Sequence, residues 1–330
     1  FSWAVKNALR RIRPDLLVLV ELELWPNLIR EASRQDVPLM IVNGRLSEKS
    51  FRGYRRVRPL IANLLQRFER IAVQSETYAQ RFVDLGAKPE SIVTTGSVKF
   101  DQVETDRENT GTIKLRDLLG ISHDETVFIA GSTQAPEEAF ALDTWQSLRA
   151  EFPKLRLILV PRHQERFEEV AAIVESREIP LLRRSRVTQP NSDNSSQAVI
   201  LLDTLGELSA CWGLADIAFV GGSLGKRGGQ NMIEPSAYGA AVLFGPQTQN
   251  FRDVVQLLLG ADAAVVVRDA DDLTAQIRSL LEEPGKRKIL GERAWNVVSP
   301  QQGATAQTIS EIVSRLPSRQ NPELPQGKAA

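Results

Sequence analysis

Short runs of β-branched and leucine residues alternate along the chain with longer amphipathic stretches, beginning with Leu16-Leu17-Val18-Leu19-Val20 and Leu39-Met40-Ile41-Val42. The same rhythm continues at Arg70–Val73, Ser91–Thr94, Val127–Ala130, Leu155–Val160, Val199–Leu202, Ile217–Val220, Ala241–Phe244 and Ala264–Val267. Runs that are apolar on both faces are what a parallel sheet covered by helices requires, and the intervening stretches carry helical spacing. The pattern therefore predicts βαβα order throughout and an α/β fold with parallel sheets.

At 330 residues the chain exceeds what one hydrophobic core usually serves, which points to two domains. The polar, aperiodic stretch 101–111 reads as the connection between them. We therefore expect a first domain over 1–101, a linker over 102–111, a second domain over 112–300, and a C-terminal helix with a tail over 301–330. A second polar stretch, 188–197, is expected to be a surface loop of the second domain, and 317–330 a frayed end. The chain opens Phe1-Ser2-Trp3-Ala4-Val5, without Met and already in the middle of an apolar helical pattern, so an N-terminally truncated protein is expected. No repeat at solenoid periods is present.

Composition excludes several function classes. Lys plus Arg (41) equals Asp plus Glu (41), so no global field draws the chain to nucleic acid or to a membrane. The single Cys211 rules out an intramolecular disulfide, and with only His123 and His163 there is no Cys/His set for a structural zinc. No apolar run approaches the roughly 18–20 residues needed to span a bilayer, and the start does not resemble a signal peptide; a soluble chain is expected. Charge is local instead. Arg45, Lys49, Arg52 and Arg56 recur at steps of four, three and four, so a helix would present them as one stripe with Phe51 and Tyr54 beside it. Such a stripe suits a phosphorylated acceptor or anionic lipid head groups, and a solvated helix face is the plainer alternative. With the rest of the chain neutral and no RNA- or DNA-binding motif, nucleic acid is not an expected partner.

The strongest chemical signal is Phe219-Val220-Gly221-Gly222-Ser223-Leu224-Gly225-Lys226-Arg227-Gly228-Gly229-Gln230-Asn231-Met232-Ile233-Glu234-Pro235, a strand running through a glycine-rich loop into a helix start. Backbone N–H groups aimed at one point there make a phosphate seat. It matches neither GxGxxG nor a Walker loop, because Gly225-Lys226 is followed by Arg227. Asn231 and Glu234, three apart, make either a capping-box-like pair or an acceptor for ribose hydroxyls. Gly222, Gly228 and Gly229 belong to the loop, as turn glycines or as part of the seat. After the strand ending at Val160, Pro161-Arg162-His163 releases Arg162 and His163 at the carboxyl edge where ligands of open α/β sheets gather; a helix-start loop with a solvent-facing Arg is the alternative. Gly131-Ser132-Thr133 ends another strand at that edge, with Ser132 either a ligand group or a helix cap. In the first half, Glu21 and Glu23 follow the strand ending at Val20 and fall on one side if it continues.

These blocks resemble the 3-deoxy-D-manno-octulosonic acid (Kdo) transferases. The resemblance is carried by Glu21-Leu22-Glu23-Leu24-Trp25-Pro26-Asn27, Asn43-Gly44-Arg45-Leu46-Ser47, Gly96-Ser97-Val98-Lys99-Phe100-Asp101 and Ala130-Gly131-Ser132-Thr133. It continues, in family order, through Pro161-Arg162-His163-Gln164-Glu165-Arg166-Phe167, Asp203-Thr204-Leu205-Gly206-Glu207-Leu208, Gly228-Gly229-Gln230-Asn231-Met232-Ile233-Glu234-Pro235 and Gly245-Pro246-Gln247-Thr248-Gln249-Asn250-Phe251. The resemblance implies a GT-B glycosyltransferase of two Rossmann-like domains facing a cleft, which moves Kdo from CMP-Kdo to a lipid A precursor in lipopolysaccharide biosynthesis. It implies donor contacts from Ser132, Arg162, His163, Gly222, Gly228, Gly229, Asn231 and Glu234, with Glu234 on the ribose. Glu21, Glu23 and Arg45 would line the acceptor side, to which the stripe read above adds Lys49, Arg52 and Arg56. No metal and no cofactor beyond the donor substrate is implied. The family's catalytic base is a Glu of a Gly-Glu motif that would lie upstream of Phe1, so no catalytic residue is assigned within the chain. Attachment to the cytoplasmic face of the inner membrane is implied as well. Gln230 replaces the family's usual His, and Ser97 its usual Asn. The alternatives are another GT-B enzyme using a UDP-sugar, a hexosyltransferase or epimerase, and a non-catalytic module binding a nucleotide or anionic lipid.

Overall fold

The structure, a computed structural model, describes residues 2–101, 103–190 and 197–316. The chain divides into two compact units, Phe1–Asp101 with Gln301–Ala330 and Gln102–Pro300. Most of the expected loop at 188–197 and the whole tail from 317 lie outside the described residues.

The first unit is built on four parallel strands in the order β1 (Leu17–Val20), β2 (Leu39–Gly44), β3 (Arg70–Val73) and β4 (Ile92–Thr94). Strand alternation sends Leu39, Ile41, Ile71 and Val73 to one face, where they join a core with Ile29, Leu64, Leu65 and Phe82 from the covering helices. Met40, Val42 and Ala72 point to the other face and meet Ile312 of the helix Ala304–Val313. That helix is fastened from within the first unit. The Asp101 carboxylate accepts hydrogen bonds from the Gly303 amide at 2.5 Å and from the Thr305 amide, and Arg70 pairs with Glu311 at 2.7 Å. The described residues of 301–316 thus form part of the first unit.

The second unit is a seven-stranded parallel sheet. Its strands are β5 (Thr126–Thr133), β6 (Leu155–Pro161), β7 (Leu181–Arg183), β8 (Val199–Leu201), β9 (Ile217–Val220), β10 (Ala241–Phe244) and β11 (Ala264–Val266), in the order β11-β10-β9-β5-β6-β8-β7. Among the described residues, ten of the eleven strands correspond to the apolar runs of the sequence; β7, three residues followed by further arginines, arises from pairing with β8. Trp145, Trp212, Phe128, Phe219 and Phe244 are fully buried, and the Trp145 indole donates to the Leu155 carbonyl at 3.0 Å. The expected linker proves to be part of this unit. Arg107 donates to the carbonyls of Tyr238 (2.7 Å) and Ala215 (2.6 Å), and the Asn109 side chain caps the helix Thr110–Leu119. A guanidinium bound to two backbone carbonyls ties the segment down where composition suggested freedom.

The chain builds β6, β8 and β7 on one side of β5 and then, after β8, crosses to place β9, β10 and β11 on the other, so the sheet has its topological switch point between β5 and β9. No helix among the described residues is long and apolar enough to cross a membrane.

Removal of the Asp101 cap by Asp101→Ala should lower stability by about 1 kcal/mol, the usual cost of losing an N-terminal cap. Burial pushes the Asp101 carboxyl upward, but its hydrogen bonds from Thr305 and Gly303 outweigh that and hold it below its ordinary value of 3.8. The contribution is then full above that value and lost as pH falls through the lower folded one, so urea midpoints of wild type and variant should converge in strong acid.

Candidate functional site

The carboxyl ends of β9, β5 and β6 lie side by side at the switch point. Their backbones are tied there by the Gly221 amide to the Gly131 carbonyl (2.9 Å) and the Arg162 amide to the Thr133 carbonyl (3.0 Å). Gly131 is required by packing, because a Cβ would stand 2.4 Å from the Trp212 ring. At Gly221 a Cβ would come within 2.5 Å of the Thr133 Cα. Between these glycines, Ser132 is buried in the left-handed region at φ 54°, where the β5–β6 register shifts. Such a non-glycine outlier costs about 1–3 kcal/mol and persists only where its surroundings hold it. Ser132 stays in the strand and caps no helix; the next helix, Glu137–Leu148, starts without a side-chain cap.

The glycine-rich loop differs from the seat expected of it. The amides of its first turn are already taken by a resident carboxylate, that of Glu137, whose side chain is 1% exposed. Glu137 Oε2 accepts from Gly222 N (2.7 Å) and Gln134 N (2.9 Å), and Oε1 from Ser223 N (2.9 Å) and Leu224 N (3.0 Å). The helix that follows, Ile233–Ala237, has only five residues, and the Ile233 amide is bound by Asn231 Oδ1 at 3.0 Å. The expected macrodipole is correspondingly small. What the loop offers lies further on: among the described residues the N–H groups of Gly228, Gln230 and Asn231 have no partner within the chain. Gly228 and Gly229 take φ of 90° and 80° in succession, a conformation that side chains other than glycine rarely adopt. Asn250 holds this turn, its backbone N–H donating to the Gly228 carbonyl (2.9 Å) and its side chain to the Arg227 carbonyl (2.9 Å).

Asn231 and Glu234 form the local pair, with Asn231 Nδ2 donating to Glu234 Oε1 at 2.8 Å. One carboxylate oxygen of Glu234 is left for other donors. Burial pushes the Glu234 carboxyl up, and the Asn231 hydrogen bond offsets this only in part.

At the end of β6, Arg162 and His163 are exposed and make no side-chain hydrogen bond or ion pair among the described residues. Arg166, four residues on, has a different task. It pairs with the buried Glu138, which is 1% exposed, and with Glu169 at 3.0 Å. Asp203, at the end of β8, accepts from Arg183 (2.7 Å) and from the amide and hydroxyl of Ser185 (2.8 and 2.7 Å). Burial raises its carboxyl, and these donors more than reverse that. Cys211 is buried, and burial pushes its thiol far up, so it packs as an apolar group. Among the described residues no three His, Cys, Asp or Glu side chains converge to hold a metal ion.

In the first unit, β1 stops at Val20, so Glu21 and Glu23 do not share a strand face. Glu21 turns into the left-handed region at φ 60°, and Glu23 accepts from the Trp25 indole at 3.0 Å. The basic stripe is shorter than its spacing suggested. The helix runs Glu48–Arg55 behind a Ser47 cap, so Arg45 precedes it and Arg56 ends it. Lys49, Arg52 and Arg56 are exposed, Arg52 paired with Glu48 at 2.9 Å. Phe51 and Tyr54 turn inward onto the core instead of flanking the stripe.

Sequence reasoning passed over Glu137 and Asn250. Glu137 stands where an acidic residue at a helix start is ordinary, and Asn250 lies in the block Gly245–Phe251, where its residue type alone suggests no role. Their importance comes from burial and from partners distant in sequence.

Residues 1–102 match the family described as 3-deoxy-D-manno-octulosonic-acid transferase (kdotransferase). A 3-deoxy-D-manno-octulosonic acid transferase of Haemophilus influenzae is 34% identical over 92% of this chain and 70% of its own length. The chain belongs to the Kdo transferase family. It is therefore a glycosyltransferase, and the Bordetella pertussis transferase of the same name is 32% identical over 94% of this chain and 72% of its own. The solved C-terminal CMP-Kdo binding domain of WaaA from Acinetobacter baumannii is 30% identical, with a TM-score of 0.52, covering 56% of this chain and 95% of that one. A glycosyltransferase from Rickettsia africae, 11% identical with a TM-score of 0.55, covers 95% of this chain and 79% of its own and shares the fold. As expected from the sequence, this Kdo transferase has the GT-B class of fold, with α/β units on parallel sheets.

The two arginines after β6 should separate by mutation. Arg166→Ala leaves the Glu138 carboxylate buried without its cation and should cost roughly 3–5 kcal/mol of stability in denaturant unfolding. Arg162→Ala, at an exposed and unpaired position, should stay within about 0.5 kcal/mol of wild type.

Proposed function

We propose that this Kdo transferase moves Kdo from CMP-Kdo to a lipid A precursor, a step of lipopolysaccharide biosynthesis at the cytoplasmic face of the inner membrane. The observation that carries the reading is the 30% identity to a CMP-Kdo binding domain. In this reading the CMP phosphate rests on the unpartnered amides of Gly228, Gln230 and Asn231 and is met by Arg162. Glu234 accepts from the ribose with the oxygen that Asn231 leaves open, and His163 reaches the nucleotide or the Kdo carboxylate. Ser132 and Gly222 border the same edge. Glu21, Glu23 and Arg45 serve the acceptor. Lys49, Arg52 and Arg56 meet its phosphates or the anionic membrane surface, where each near-surface cation is worth about 1 kcal/mol.

The reaction follows from these roles. An acceptor hydroxyl oxygen bonds to the anomeric carbon of Kdo, the bond from that carbon to the phosphate oxygen breaks, and the electron pair leaves on CMP. Charge that grows on the departing phosphate is met by amides and a guanidinium held in place beforehand, which is where such groups stabilise a transition state most. The hydroxyl proton passes to a base. No cofactor beyond the donor substrate takes part.

Calorimetric titration with CMP, against UDP and GDP, tests the donor assignment. Selective binding of CMP is the expected result, and a preference for UDP or GDP would overturn it. Glu234→Gln should weaken CMP binding by about tenfold or more, the loss of a charged hydrogen-bond acceptor. Its melting temperature should not fall, because a neutral amide avoids the burial that raises the carboxyl of Glu234. The wild-type affinity should also drop on acidification at a pH above the ordinary 4.5 of a Glu, since protonation of the raised carboxyl removes the acceptor.

A further inference from the structure

Successive N–H groups in a tight turn form a concavity that binds anions. In the first turn of the glycine-rich loop, Gly222, Ser223 and Leu224 make such a concavity, and Glu137 fills it from a different helix, 85 to 87 residues away in sequence. We propose that Glu137 is a positioning residue of the donor site: a built-in anion that fixes the first turn and thereby sets the second turn, where the phosphate binds. The proposal rests on the donor reading above.

The link between the two turns is a single residue, Gly222. The Gly222 N–H is held by Glu137 at 2.7 Å, and the Gly222 carbonyl accepts from the Gly229 N–H at 2.8 Å. Moving Glu137 therefore moves Gly229, which lies between the free amides of Gly228 and Gln230. Ser223 is held from its other side as well, its hydroxyl donating to the Val220 carbonyl (2.6 Å) and accepting from the Gly245 amide (2.8 Å). A negative charge in the first turn has a second effect, since it repels a phosphate from the Gly222–Leu224 amides and leaves only the second turn open to one. A plain packing residue would do neither. Each oxygen of Glu137 receives two N–H groups, so only a carboxylate satisfies all four donors.

Glu137→Gln keeps the shape but turns an NH2 group toward two of the four donors. Amide exchange measured by NMR should speed up at Gly222, Ser223, Leu224 and Gly229 by at least about tenfold, with Phe219 and Phe244 in the strands unchanged, and CMP affinity should fall by a similar factor. Glu137→Ala, in case the amide variant does not fold, opens a carboxylate-sized vacancy, and added formate should restore both protection and CMP binding. Unchanged exchange at those four amides, unchanged CMP affinity in Glu137→Gln, or failure of formate to restore Glu137→Ala would each overturn the proposal. Wild-type protein that binds no CMP would instead overturn the donor reading and with it the role in donor binding. The exchange data then decide separately whether Glu137 anchors the loop.

Discussion

A carboxylate removed from water has to be met by donors, and the switch point of the second unit is arranged around that requirement. Glu137 is buried against four backbone N–H groups, three of them in the loop that leaves β9. Bringing that loop so close to the end of β5 leaves no room for a side chain at Gly221. Ser132 takes the left-handed region at the same place. The strain, the glycine and the buried charge are one arrangement, and each would be unfavourable without the others.

The blocks that mark the family divide their labour inside the fold. In Pro161–Phe167, Arg162 and His163 face outward while Arg166 turns inward to a buried glutamate. In Gly228–Pro235, the glycines open the turn, Asn231 accepts from the Ile233 amide and donates to Glu234, and Glu234 keeps one oxygen available. The block ending in Asp101 is structural, since Asp101 fastens the start of the helix Ala304–Val313. Gly96 lies so near that helix that a Cβ there would stand 3.2 Å from the Ala304 Cβ. The block Gly245–Phe251 supplies Asn250, which holds the second turn of the glycine-rich loop. Outward-facing residues of these blocks are the ones free to meet a ligand, and inward-facing ones keep them in register.

Much of this is legible in the amino-acid sequence. Strands apolar on both faces announce themselves as short continuous runs, so ten of the eleven strands among the described residues, the parallel sheets and the α/β class followed from periodicity alone. The family was legible from motif order. Local chemistry was legible in part: the Asn231–Glu234 pair spans three residues, and contacts at that range depend on spacing the chain itself sets.

Tertiary structure alone decided the rest, because it depends on which distant segments meet. β7 exists through its partner β8, the segment around Arg107 is held by carbonyls of Ala215 and Tyr238, and the end of β1 separates Glu21 from Glu23. Periodicity placed Arg45 on a helix that Ser47 caps two residues later. The sequence by itself determined the sheets, the order of the motifs and the presence of a glycine-rich turn. Which of its amides remain open was decided by Glu137, since a backbone N–H becomes a ligand site only when no partner within the fold has claimed it.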